Sequence, residues 1–359
     1  MATKEIKQSV IFFQDIVGGD GKDGCESVDT AESLFEIANA PYAGFRVQRP
    51  RHCRRVIQGS RDEHSNDSVE VVVRQDSAVQ EHTGGIVWET SYLLATYLIM
   101  RYNEISGDNA DRDSGKPRRS RPLGRVLEVG AGTGLLGLVL AASGLCRGAV
   151  VLTEAEECMR ALRANVERNI KGFVTKENCS SDDSGCKDGV SHLHSQWAPC
   201  LKPGRAVVRR LRWDKLQSDV KDGGDDLRPG SFDTIFGTDV VFTPELVRPL
   251  LDTLATMANA NTLVYLCLQE RCADSHALLL RAAIEFGFDI EDVTDELRCL
   301  PECQWGLELE CKLLRLILVG GEESKLKNGI RRDRKTKQDG RKKQKACVGI
   351  SHEAVREDA

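Results

Sequence analysis

Three glycines, Gly130, Gly132 and Gly134, follow the apolar run 125–129 at alternate positions and lead into a second apolar run, with an acid, Glu128, two residues ahead of the first glycine. Glycines are needed at such a place because the backbone must turn sharply and let a ligand approach with no Cβ in the way. The spacing Gly132-x-Gly134-x-x-Gly137 matches the dinucleotide fingerprint, and Glu154, 20 residues beyond Gly134, stands where that fingerprint wants a ribose-binding acid. Asp239 ends a second apolar run, 232–239, and a carboxylate at the end of a central strand in an open α/β sheet is more often at the ligand than not. Blander readings stand beside these: a glycine-rich turn with no ligand, Glu154 as the cap of the next helix, and Asp239 as the entry to the helix at Pro244.

For such a loop to hold a ligand it must join a strand to a helix, and the flanking residues read that way. Residues 125–129 form a short strand, 134–143 a helix, 149–153 a second strand, and 156–169 a helix with charges on one face. The alternation resumes with strands at 206–211 and 232–239, a helix at 244–257, a strand at 262–268, a helix at 275–286, and strands at 288–293 and 313–319. Strands separated by helical stretches imply right-handed crossovers and a mainly parallel sheet. The last two strands have no helix between them and are expected to pair antiparallel. The fold class is therefore α/β, a Rossmann-like doubly wound sheet of seven strands with the last antiparallel, over residues 81–320. Residues 1–80 are a strand-rich extension, with runs at 10–13 and 69–73 and a helix over 30–40. The polar stretches 104–122 and 171–204 read as inserted loops, and 321–359 as a basic, disordered tail.

Composition narrows the class. Of 359 residues, 40% are hydrophobic and 29% charged, which excludes collagen, coiled-coil and wholly disordered chains. No apolar run approaches the roughly 18 residues of a membrane span, and the start lacks the apolar centre of a signal peptide, so a soluble protein of the cytoplasm, and also the nucleus, is expected. The net charge of −5 conceals a division: residues 324–347 carry 11 basic side chains and two acids, leaving −14 elsewhere. Such a tail suits nuclear import or attraction to nucleic acid, though it has no aromatic residue to stack on bases. The 13 cysteines, an odd number, read as reduced thiols. A zinc site from Cys179, Cys186, His192, His194 and Cys200 lacks the close chelating pair such sites usually show, and Cys299 and Cys303 have no second pair nearby, so no metal is expected.

The glycine loop alone does not separate a nicotinamide enzyme from an S-adenosylmethionine enzyme. Two details favour the second: the full pattern Glu128-x-Gly130-x-Gly132-x-Gly134, and an α/β unit that ends in a two-strand hairpin with hardly enough chain left for a dehydrogenase's second domain. The sequence resembles the seven-strand, class I methyltransferases, and more narrowly the methyltransferase-like 21 group of protein-lysine methyltransferases, over roughly residues 69–320. Four blocks carry the resemblance: residues 83–97 with Val-Trp88-Glu, the glycine loop with Glu154, Leu211-Arg-Trp-Asp214, and residues 232–246 with Thr238-Asp239-Val-Val-Phe242.

The resemblance implies S-adenosylmethionine as cofactor and a protein lysine as acceptor. Under it Gly130, Gly132 and Gly134 pass close to the methionine and ribose portions, with Glu128 and Thr238 counted among the cofactor contacts. Glu154 accepts hydrogen bonds from the ribose hydroxyls, as a carboxylate can from a diol. Trp213 walls the adenine and Trp88 closes the methionine end, while Asp239 and Phe242 stand at the acceptor mouth. The family pattern usually ends in Tyr where this chain has Phe242; the ring face still attracts a cation, but the hydroxyl is lost. The implied partner is a protein, with translation factors and chaperones among the family's substrates, acted on by a monomer. Two alternatives stay open: a non-catalytic cofactor-binding adaptor, and a methyltransferase of RNA or small molecules.

Overall fold

The computed structural model describes residues 10–14, 30–48, 68–76, 83–106, 123–176, 194–197 and 199–319. The strands are β1 (Val10–Phe12), β2 (Tyr42–Gln48), β3 (Ser68–Arg74), β4 (Val126–Val129), β5 (Val150–Glu154), β6 (Phe173–Lys176), β7 (His194–Trp197), β8 (Ala206–Arg210), β9 (Thr234–Thr238), β10 (Leu263–Gln269), β11 (Phe288–Asp292) and β12 (Cys311–Leu318). The α-helices are α1 (Thr30–Asn39), α2 (Glu89–Ser106), α3 (Leu135–Ser143), α4 (Met159–Lys171), α5 (Leu216–Gly223), α6 (Pro244–Met257), α7 (Ala273–Glu285), α8 (Asp295–Arg298) and α9 (Gln304–Glu308).

The main sheet has seven strands in the order β11-β12-β10-β9-β4-β5-β8. All neighbours from β10 to β8 are parallel, and β12 runs antiparallel between β10 and β11. The expected doubly wound sheet with its antiparallel hairpin is thus the one observed, although short helices α8 and α9 fill the connection expected to hold none. From β4 the chain winds outward through β5 to β8 on one side and through β9 to β10 on the other. The crevice between the carboxyl ends of β4 and β9 is the topological switch point, where sheets of this kind bind ligands.

Burial explains the choice of elements. β4 and β9 are buried along their whole length because helices cover both faces of the sheet. Helix α3 is buried at all nine positions, sandwiched between the main sheet and the small one, and ends on Gly144 at a φ of 81°. Helix α6 starts with Pro244 in its first turn and turns Val247, Leu250, Leu251 and Leu254 inward, an i, i+3, i+4, i+7 stripe.

Two of the expectations need correction. The segment 171–204 is not simply a loop: β6 and β7 pair antiparallel, Phe173 opposite Trp197, and α4 runs through Lys171. Helix α2 likewise takes residues 104–106 out of the first expected loop. Residues 107–122, 177–193 and 198 of the two insertions, which include Cys179, Cys186 and His192, and the tail beyond 319 lie outside the described residues.

The N-terminal extension holds an unexpected strand, β2, which pairs parallel with β1 and antiparallel with β3. This small sheet shares the core of the main domain. Phe13 stacks on Tyr92 of α2 at 4.6 Å between ring centres and lies 5.1 Å from Trp305 of α9. Its second edge is closed by side chains. Asn169 accepts from the Val72 N–H at 3.1 Å and donates to its carbonyl at 2.8 Å, and Asn165 does the same for Arg74 at 2.9 and 3.1 Å. Four residues apart on α4, the two amides present the donor–acceptor pairs of a neighbouring strand.

Candidate active site

The loop after β4 takes left-handed backbone at all three glycines, with φ of 63° at Gly130, 53° at Gly132 and 85° at Gly134. Side chains rarely adopt that region, so the sequence pattern is a backbone requirement. Space is restricted as well. A Cβ on Gly134 would come within 2.5 Å of Leu162 Cδ1, and one on Gly132 within 3.3 Å of the Gly84 carbonyl oxygen. One on Gly130 would meet Val240 Cγ1 at 2.8 Å, with the Trp213 ring 3.5 Å away. Gly84, Trp213 and Val240 come from three distant segments, so the four sequence blocks do meet at one end of one sheet.

Glu154, at the end of β5, reaches across to this loop. One carboxylate oxygen accepts from the Gly132 N–H at 2.7 Å and the other from the Ala155 N–H at 2.8 Å. Burial raises its pKa against the pull of those two N–H groups. A carboxylate offers about four lone-pair sites, so two remain for a diol. The left-handed glycines, this half-used carboxylate and the Trp213 indole form an environment that fits a nucleoside cofactor.

Glu128 takes a different part from the one expected. Its side chain is 1% exposed and accepts from the Gly137 N–H at 2.9 Å, in the first turn of α3. It braces the loop from behind, at the positive end of a helix. Gly137 is small for the same reason, since a Cβ there would lie 2.4 Å from Glu128 Oε2. Burial pushes the Glu128 carboxyl up to about 8, with the Gly137 N–H pulling the other way and Glu154 adding to the rise. Thr238 is buried, its hydroxyl hydrogen-bonded to that of Ser91 at 3.0 Å, which ties β9 to the first turn of α2.

Asp239 follows β9 in left-handed backbone, φ 49°, one of two non-glycine residues with positive φ among those described. Such strain at a strand end is common where function over-determines geometry. One carboxylate oxygen accepts from the Gln269 N–H at 2.8 Å; the other accepts from Arg271 Nη2 at 3.0 Å, and the side chain is 4% exposed. The same Nη2 donates to Glu89 at 3.1 Å, and the Arg271 guanidinium carbon lies 4.6 Å from the centre of the Trp88 ring. Trp88 is held in place through its neighbour: the Val87 N–H donates to Gln75 at 2.7 Å, and Gln75 also binds the carbonyls of Ile37 and Ala40. Phe242 is half-buried in the bend ahead of α6.

Sequence reasoning missed Glu89 and Arg271. Glu89 lies inside one of the recognised blocks, and Arg271 stands two residues past a central parallel strand, the end at which open sheets bind ligands. Those positions were the available signals. Among the described residues no group of His, Cys, Asp and Glu is placed to hold a metal ion. Of the Cys299–Cys303 pair, Cys303 is buried and Cys299 exposed.

A family model described as lysine methyltransferase matches residues 65–182. Protein N-lysine methyltransferase METTL21A of Mus musculus is 27% identical over 202 residues, 56% of this chain and 67% of that one. Its counterpart in Danio rerio is 27% identical over 182 residues, 50% of this chain and 58% of that one. Among solved structures, a methyltransferase from Pyrococcus furiosus is 18% identical, covering 55% of this chain and 75% of its own, with a TM-score of 0.31. The fold is read from the strand order itself and does not lean on that superposition. Strand order, loop and sequence relatives agree on the class I methyltransferase fold with S-adenosylmethionine as methyl donor, and the chain resembles the methyltransferase-like 21 group of protein-lysine methyltransferases.

Proposed function

We propose that this chain methylates the side-chain nitrogen of a lysine in a protein substrate. The observation that carries the reading is the convergence of Asp239, Glu89 and the Trp88 face beside the glycine loop: two carboxylates and an indole make a place for a cation. Gly130, Gly132, Gly134, Glu154 and Trp213 would hold the cofactor. When bound, S-adenosylmethionine supplies a methyl group already activated by its sulfonium. The acceptor lysine would take that methyl group as its neutral amine, releasing one proton to water and leaving S-adenosylhomocysteine as the other product. Free lysine has a pKa of about 10.4, so the chain's task is to place the amine in line and to let it lose a proton. Asp239 orients the amine.

Incubation of the protein with cell extract and labelled S-adenosylmethionine, followed by mass spectrometry, tests this reading. A discrete labelled protein carrying methyl-lysine, lost with Asp239→Asn, is expected. Binding of the cofactor with no labelled protein would favour the adaptor reading, and label in RNA would favour an RNA methyltransferase. Translation factors and chaperones are the first proteins to look for. We further propose that the chain acts as a monomer in the cytoplasm and nucleus, and that the basic segment 325–345 adds a salt-dependent attraction to acidic partners. No helix among the described residues is long and apolar enough to cross a membrane.

A further inference from the structure

Arg271 is the only cation paired with Asp239 and Glu89 among the described ion pairs. Two carboxylates and an aromatic face are what an entering ammonium would seek, and the molecule meets them with a charge of its own. An ammonium placed against carboxylates with no compensating cation holds its proton more tightly, because an opposite charge favours the charged form. Lysine in that form has no lone pair for attack. A guanidinium does not titrate in the working range of an enzyme and stays where its fork is held.

We propose that Arg271 is a positioning residue that offsets Asp239 and Glu89, so that the acceptor lysine is oriented by carboxylates without being locked as an ammonium. The inference rests on the lysine-methylation reading of the site. The groups facing the cluster are few. Glu89 comes from α2 and Asp239 from the end of β9. Cys267 on β10 and Cys311 on β12 lie behind them, buried, with their thiols pushed up by burial. His276 of α7 is 6% exposed, its pKa lowered by burial, and Glu270 is occupied by Lys312 at 2.6 Å. Cys267, Cys311 and His276 are therefore neutral near pH 7 and Glu270 is compensated, which leaves Arg271 to balance the two acids. The guanidinium itself, drawn down by burial, is held protonated by Asp239 and then Glu89.

The experiment compares wild type, Arg271→Gln and Arg271→Lys in two measurements. The first titrates n-butylammonium, a stand-in for the lysine side chain, into each protein saturated with S-adenosylhomocysteine at pH 7. The second follows methyl transfer to the labelled protein from extract between pH 6.5 and 10. A charge at this range moves a pKa by roughly 1–3 units. Arg271→Gln should bind butylammonium about tenfold more tightly and shift the pH–rate profile about one unit to the alkaline side, recovering much of its rate at high pH. Arg271→Lys, which keeps the charge and loses the fork, should keep the profile near that of wild type at a lower rate.

Unchanged or weaker butylammonium binding, or a rate that falls equally at every pH, would overturn the proposal and leave Arg271 a structural brace. If Arg271→Gln does not fold, the Arg271→Lys profile decides: an alkaline shift there would overturn the proposal. Should no protein be labelled by wild type, the methylation reading fails while the butylammonium titration still judges the charge balance.

Discussion

The two ends of the crevice hold their carboxylates by different means. At the cofactor end, Glu128 and Glu154 are met by backbone N–H groups of the glycine loop and its flanks, and burial raises both. At the proposed acceptor end, Glu89 and one oxygen of Asp239 are met by a guanidinium, and only the second Asp239 oxygen takes a backbone N–H, that of Gln269. Neutral backbone donors are fixed by the path of a single turn and suit a ligand that is always the same. A side-chain cation can offset charge without closing the site, which suits an acceptor that must arrive charged and react neutral. The cofactor end is thus built from local backbone, and the proposed acceptor end mainly from side chains brought together by the sheet.

The sharpest way to break this division is Gly134→Val. With φ at 85° and Leu162 2.5 Å from any Cβ, the loop cannot keep its shape. S-adenosylhomocysteine should then give no thermal protection, a loss of affinity of at least about 100-fold, with methyl transfer abolished. Retained protection would show that the turn is not the cofactor's cradle.

Asp239→Asn should separate the two ends. It keeps a side chain that tolerates left-handed backbone and removes only the charge facing Arg271. Methyl transfer is expected to fall by about 100-fold, within the range for a positioned polar group at a reacting centre, while S-adenosylhomocysteine affinity stays within about threefold. An equal fall in both would merge the two ends into one.

The frame supporting both ends is tested by Asn165→Ala. Asn165 is 1% exposed and hydrogen-bonds the Arg74 N–H and carbonyl and the Thr133 carbonyl in the glycine loop, the last at 2.9 Å. Leaving those groups unpaired should cost about 2–3 kcal/mol in denaturant unfolding. A change below about 0.5 kcal/mol would mean the small sheet is held by its aromatic core alone.

The last test is read as a slope against pH and falls on Glu128. Its folded-state pKa of about 8 lies above the ordinary carboxyl value, so the native state binds the extra proton between pH 4.5 and 8. Its contribution is fully present below the unfolded-state pKa and is lost as pH rises through about 8, at no more than about 1.4 kcal/mol per pH unit. Glu128→Gln should flatten the fall in melting temperature over that window and leave the protein more stable than wild type at pH 8. Parallel curves for the two proteins would remove Glu128 from the pH dependence.

Local signals carried far along this chain. The strand-glycine-helix unit was legible because each glycine answers a backbone need that its immediate neighbours impose. Glu154 was legible because its distance from the loop is one helix and one strand. The sheet's two-sided winding followed from the alternation of apolar runs, and α6 from its proline and apolar stripe. By contrast β2 was not seen: Tyr42-Ala-Gly-Phe-Arg-Val-Gln48 has a glycine at its third position and draws its stability from β1 and β3. The β6–β7 hairpin was hidden by the polar stretch between its strands.

What the sequence by itself determined is the chemistry of one turn and the class of sheet that presents it, because those depend on neighbours a few residues away. What only the tertiary structure decided is the balance of charge around Asp239 and Glu89. It turned Glu128 inward onto Gly137, tied Thr238 to Ser91, and placed Arg271 between Glu89 and Asp239, 182 and 32 residues away in the chain. Direction and partnership of a charged side chain are set by the field and the space it meets after folding, and no spacing along the sequence records them.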